Sequence, residues 1–370
     1  MRALACSRVL IMGESSEIMV PGFLPWQTEI AARWLRERER FAHAWLIHGL
    51  SGIGKRHFAL AAAAALLCEQ QGHQFACGAC NACRWMASGN HPDFRRVRPE
   101  AVALEEGEAP EDATGAGNKR APSREIRVEQ LRALTDWYVT ATHRGGWRVV
   151  AIYPADAMNH ITANTLLKVL EEPPPRTVFL LTSDAPALLL PTILSRCRRL
   201  PLPIPSAGPS VAWLAEQGVS QPSHWLAAAG GAPMRALQLA QAGDSPCPAW
   251  LMAFLGGLAN AGASPAALAA QGAEALNDIE PALWIDALQR AFLDISLIAA
   301  SSLPRYFPGQ AALLTQVAAQ TSPPQLAGLL KWLNEQRKIA THPLSARLFA
   351  QAVLQRCAQA CRSTSSGKTA

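Results

Sequence analysis

Gly49-Leu50-Ser51-Gly52-Ile53-Gly54-Lys55-Arg56 follows the pattern of a phosphate-binding loop through seven positions and leaves it at the eighth. In G-x-x-x-x-G-K-[ST] the glycines let backbone N–H groups curl around phosphates and the lysine reaches the β- and γ-phosphates. The final hydroxyl binds Mg²⁺. The flanks fit the motif. His43 to His48 predicts a buried strand, and the Ala/Leu-rich run Phe58 to Leu67 predicts a helix. The loop thus joins a strand to a helix N-terminus, where the backbone and the dipole favour anions. A Gly-rich turn without a ligand is the bland alternative, and this context argues against it. Arg56 offers no oxygen to a metal, so the site reads as inherited and then damaged.

A second loss lies further along. Trp147 to Ile152 predicts another buried strand. In a working P-loop ATPase an Asp ends this strand to orient Mg²⁺, commonly followed by a Glu that activates water. Here those places hold Tyr153 and Pro154, and Asp156 comes too late. Thr177 to Leu181 predicts a third strand with Thr182 and Ser183 at its tip, where a polar group can sense a phosphate. Arg95 to Arg98 and Arg199 to Leu202 are also strand-like. Ile126, Val128, Leu131, Leu134 and Tyr138 recur at near-helical spacing, predicting a helix to about Thr140. Asn164 to Pro174 is an amphipathic helix stopped by prolines.

Between the first helix and the next strand stand Cys68, Cys77, Cys80 and Cys83. Two overlapping C-x-x-C steps make a tight knuckle and a fourth thiol arrives from the helix end, a set that suits tetrahedral Zn²⁺. Free thiols or a redox pair are the alternatives; four ligands favour a closed, structural metal site. His91 could also ligate metal, but a loop histidine before proline is more often structural. The other five of the nine cysteines are scattered, and the odd count without a secretion signal speaks against a disulfide scaffold.

The 370 residues suit two or three domains; 49% are apolar and 17% charged, as in a globular cytoplasmic protein. The net charge of +6 permits nucleic-acid contact without proving it. No apolar run reaches the roughly 18 residues of a membrane span. Residues 1–22 are expected to be an unstructured extension, with Met19 an equally good start. Residues 99–123, with six acids and three glycines, are expected to form a mobile acidic loop.

The broken phosphate loop, the cysteine knuckle, the Asn164–Pro174 helix and the triplet Ser195-Arg196-Cys197 occur in this order. Together they resemble the bacterial DNA polymerase III clamp-loader family of AAA+ proteins, from about Phe23 to Arg362. The resemblance implies an α/β fold: an AAA+ P-loop core with a parallel sheet (23–203, zinc knuckle at 68–83), a small helical lid (204–245), an all-α collar (246–361) and a disordered tail (362–370). It implies a five-subunit ring with ATPase motor subunits and a delta subunit, which loads a sliding clamp onto primer-template DNA. Arg196 would then reach in trans into a neighbour's ATP site; an ordinary surface cation beside Arg198 and Arg199 is the alternative. Arg235, in the turn Gly230 to Leu237, matches a nucleotide-touching sensor position, with packing or a salt bridge the competing role. Thr182 is sensor-like by the same token. Gly49, Gly52, Gly54 and Lys55 leave a weak phosphate site at most, so Zn²⁺ rather than ATP is the expected cofactor. The rival readings are an active ATPase motor of the same family and a zinc-dependent DNA-binding module. A motor needs an acid at Tyr153 and a hydroxyl at Arg56, and no aromatic-plus-basic strip accompanies the cysteines.

Overall fold

The computed structural model describes residues 19–70, 73–108, 121–139, 142–143, 145–243, 245–260, 262–340 and 345–362. Most of the expected N-terminal extension, residues 109–120 of the acidic stretch and the tail from residue 363 lie outside these. The chain groups into two units, which meet at Pro209 and Ser210.

The first unit opens with α1 (Thr28–Arg36), β1 (Ala44–His48) and α2 (Lys55–Leu67), followed by α3 (Asn81–Ala87), β2 (Phe94–Val97) and α4 (Glu100–Glu105). Then come α5 (Val128–Val139), β3 (Arg148–Ile152), α6 (His160–Glu171), β4 (Thr177–Ser183), α7 (Pro191–Arg196) and β5 (Arg198–Pro201). The five strands form a parallel sheet in the order β2-β3-β4-β1-β5. All of β3 and β4 is buried, as the unbroken apolar runs predict for strands covered on both faces. Alternation divides them: Leu46, Val150, Ile152, Phe179 and Leu181 cluster with Leu131, Leu134, Leu166 and Ile193 from α5, α6 and α7. Helix α2 packs on β3, β4 and β1. Its alanines favour the helix and lie buried along most of its length.

The acidic stretch departs from expectation at its start. Residues 100–105 form α4, Glu106 is largely withdrawn from solvent against Arg98, and exposed Glu108 pairs with Arg96. Composition marked the stretch as unordered because it carries no apolar stripe. Partner charges hold Glu106 and Glu108 instead.

The second unit is helical. Helix α8 (Ala207–Glu216) leads into it, and α9 (Pro222–Ala228), α10 (Pro233–Ala242) and α11 (Ala249–Ala259) follow. Next are α12 (Pro265–Ala275), α13 (Pro281–Ala299), α14 (Ala311–Ala318), α15 (Pro323–Ile339) and α16 (Ala346–Ala360). The stripe Trp284, Leu288, Phe292 and Ile295 is core, together with Leu326, Leu329 and Leu333; Ala299 at its end is exposed. Helices α12 and α16 touch closely because Gly272 has no side chain: a Cβ there would stand 2.5 Å from Leu354 Cδ1. Fully buried Asp294 pins the chain before α14 by accepting the N–H groups of Arg305, Tyr306 and Phe307 at 2.7–3.0 Å. Among the described residues no helix is long and apolar enough to cross a membrane.

Candidate functional site: a phosphate loop with its charges paired in cis

The loop leaves β1 at His48 and enters α2 at Lys55. Gly49 has φ 153°, and a Cβ on it would meet the Leu202 carbonyl oxygen at 2.5 Å, so the first position must be glycine. Gly52 and Gly54 have φ 79° and 91°. From outside the motif Trp26 Nε1 donates to the Ile53 carbonyl at 3.0 Å, and buried Gln27 donates to Gly54 at 2.8 Å. These contacts fix the loop before any ligand arrives.

Lys55 is buried, and its ammonium turns inward. Nζ donates to the carbonyls of Gly49 at 2.9 Å and Leu50 at 2.6 Å, and lies 2.5 Å from Asp184 Oδ1. Asp184 follows the tip of β4, where Ile47 pairs with Thr182 and His48 with Ser183. Thr182 and Ser183 are both buried there. Sequence analysis placed a sensing group at this tip but missed Asp184, the acid that reaches the lysine.

Arg56, at the hydroxyl position of the motif, points Nη1 at Glu106 Oε1, 3.4 Å away. Glu106 also receives Arg98 Nε at 2.7 Å and the Tyr153 hydroxyl at 3.1 Å. Arg96 and Arg98 both pair with Glu108 as well. Tyr153, where a working ATPase has its strand-end acid, is thus built into an ion network with the first helical position beyond Lys55. Burial and then the Glu106 charge push the Tyr153 phenol well above its ordinary range, so it donates as a neutral hydroxyl. Burial opposes the charge of Arg98, but Tyr153, Glu106 and Glu108 outweigh it and raise its pKa. His57 is lowered to about 4, first by burial and then by Arg56.

Arg196 ends α7. Its Nη2 lies 2.7 Å from Glu171 Oε1 at the end of α6, and Nη1 donates to the Thr192 carbonyl at 3.0 Å. The side chain is 34% exposed, which leaves the guanidinium in reach of a partner while fixing its direction. Arg235 sits in the second unit, where Nη2 meets Asp286 Oδ2 at 2.5 Å.

The sulfurs of Cys68, Cys77, Cys80 and Cys83 lie within 4.8 Å of one another. Cys68 to Cys80 measures 4.0 Å and Cys77 to Cys83 3.8 Å. Four thiolates about 2.3 Å from one tetrahedral ion stand about 3.8 Å apart, so the donor set fits a metal. Backbone N–H groups of Ala79 and Cys80 donate to Cys77 Sγ at 3.4 Å and lower that thiol to about 6, while burial raises Cys68 and Cys83. His91 stays out of the cluster: its Nδ1 accepts from the Asp93 N–H at 3.1 Å and its ring packs on Trp85.

A parallel sheet of this order, with a phosphate loop closing β1 onto α2, defines a P-loop module of the AAA+ type. Residues 28–206 match the family described as "DNA polymerase III, delta subunit". Over 219 residues the chain is 42% identical to DNA polymerase III subunit delta' of Pseudomonas aeruginosa, covering 58% of this chain and 60% of that protein. Over this stretch the chain is similar to DNA polymerase III delta-prime subunits. It is also 33% identical to DNA polymerase III subunit tau of Escherichia coli over 158 residues, 43% of this chain and 21% of tau. A gamma-subunit-related DNA polymerase III protein of known structure, from Thermotoga maritima, aligns over 91% of this chain and 100% of its own, at 15% identity and a TM-score of 0.40. The chain spans about 60% of the length of the Pseudomonas relative.

Proposed function

We infer that this chain is a delta-prime-type subunit of a bacterial clamp loader that does not hydrolyse ATP itself. It works in the cytoplasm beside ATPase motor subunits and a delta subunit in a five-subunit ring, and the ring sets a sliding clamp on primer-template DNA. One observation carries the reading: both cations of the phosphate loop are neutralised by acids of the same chain, Lys55 by Asp184 and Arg56 by Glu106. A triphosphate would have to displace Asp184, and no hydroxyl or strand-end acid waits for Mg²⁺. Arg196 serves a neighbour's ATP in trans, as a half-exposed guanidinium aimed by Glu171. Thr182 and Arg235 keep sensor positions without a sensing role. The cysteine cluster holds one structural Zn²⁺, closed by four protein ligands.

The rival, an active motor, draws support from the similarity to tau over 158 residues. A turnover assay on the isolated chain separates the two. No ATPase above background is expected, and turnover that disappears in Lys55→Ala would establish the motor.

A further inference from the structure

A cavity in the second unit has no part in the account so far. Helices α9, α10, α11 and α13 help enclose about 390 Å³, a volume in the range of pockets that take small ligands or side chains. Trp225, Leu239, Trp250 and Leu283 give it a mainly apolar lining. Leu283 is 53% exposed, so this lining reaches solvent at the first turn of α13.

The polar lining is a charge cluster. Asp286 receives Arg235 at 2.5 Å, Arg290 at 3.1 Å and Arg337 at 3.6 Å. Three guanidiniums share that carboxylate, which leaves surplus positive charge beside apolar surface. Arg290 is held in place before any ligand arrives: it donates to the Ala228 carbonyl and lies 5.5 Å from the centre of the Tyr306 ring. Burial works against its charge; Asp286 supports it, and Arg235 and Arg337 oppose it again. A carboxylate brought to this wall gains charge-assisted hydrogen bonds with donors already oriented. An apolar group attached to that carboxylate gains burial among the tryptophans.

We propose that this cavity docks an acidic segment of a partner protein, with an aromatic or branched aliphatic side chain filling the tryptophan-lined part and a neighbouring carboxylate meeting Arg235 and Arg290. Charge complementarity selects this occupant, since a basic segment meets surplus positive charge and a neutral one leaves it uncompensated. The proposal concerns the second unit alone and does not depend on ring assembly, so the two stand or fall separately.

The test uses the full chain without partners and a fluorescein-labelled peptide with aspartates flanking one phenylalanine and one leucine. Saturable binding by anisotropy is expected, weakening as salt rises. Replacing the aspartates by asparagine, or the phenylalanine and leucine by serine, should weaken it about tenfold or more. Arg235→Gln should do the same while leaving Arg290 and Arg337 on Asp286. Leu283→Ser, at an exposed position, should weaken it by removing apolar lining without adding charge beside Asp286. Absence of saturable binding overturns the proposal, and so does equal binding of the asparagine peptide. Unchanged affinity in both variants places the peptide elsewhere and also overturns it. If benzoate saturates the cavity and the peptide does not, the site is for small molecules and the proposal is wrong.

Discussion

Lys55 Nζ stands 2.5 Å from Asp184 Oδ1, so the cation that a phosphate loop keeps for its ligand is already spent on an acid of the same chain. The lysine side chain is 5% exposed and the aspartate 44%. The buried partner cannot move out to water, whereas Asp184 can be replaced without opening the core.

Asp184→Asn should therefore unmask part of the site. Isothermal titration with ATP or pyrophosphate is expected to show affinity raised about tenfold over the parent chain, worth ~1.4 kcal/mol. Hydrolysis should stay at background, because Arg56 and Tyr153 are unchanged. Equal binding by parent and variant would mean that the ion pair does not silence the loop.

The same loop helix predicts a pH effect. His57 falls from 6.5 to about 4 through burial and the Arg56 charge, so it is neutral in the folded protein while an unfolded chain binds its proton near 6.5. Stability from this residue is present above pH 6.5 and is lost as pH falls towards 4. Urea unfolding at pH 7 and pH 4.5 should give a smaller loss for His57→Gln than for the parent, by roughly 2 kcal/mol. Parallel losses in the two proteins would show that His57 titrates normally.

For the cysteine cluster, elemental analysis should find one zinc per chain, and Cys80→Ser should lose it. The knuckle precedes β2 and lies outside the sheet, so metal loss should raise proteolysis between α2 and β2 before the sheet unfolds. A fully reduced preparation, never exposed to chelator, that contains no metal would refute the assignment.

What the sequence made legible follows from the range of each interaction. Buried strands announce themselves as apolar runs, the loop as a spaced glycine motif, and the four-thiol cluster as cysteines close along the chain. The acids that decide the site gave no such signal. Asp184 lies beyond the tip of β4, Glu106 sits in a stretch whose composition reads as unordered, and Glu171 meets Arg196 only because α6 and α7 pack together. Arg235 matched a sensor pattern, yet its partner Asp286 lies on a helix much further along the chain. Local patterns show which groups are present; only the fold shows which charges are already taken.

Arg196 gives the most direct test of the central claim that this chain serves its neighbours' ATP rather than its own. A guanidinium offered to a γ-phosphate contributes about 10³–10⁵ in rate in GTPase systems, or roughly 4–7 kcal/mol at the barrier. Only the neighbour facing this subunit loses it, so the whole ring should slow partially. The decisive measurement is the DNA-stimulated ATPase rate of a reconstituted ring carrying Arg196→Ala, taken beside the ring's mass. The account predicts an intact ring with partly reduced ATPase and clamp loading, little restored by Arg196→Lys because a point charge does not reproduce the planar fork. An intact mutant ring with unchanged ATPase and loading would contradict it and leave Arg196 an ordinary surface cation.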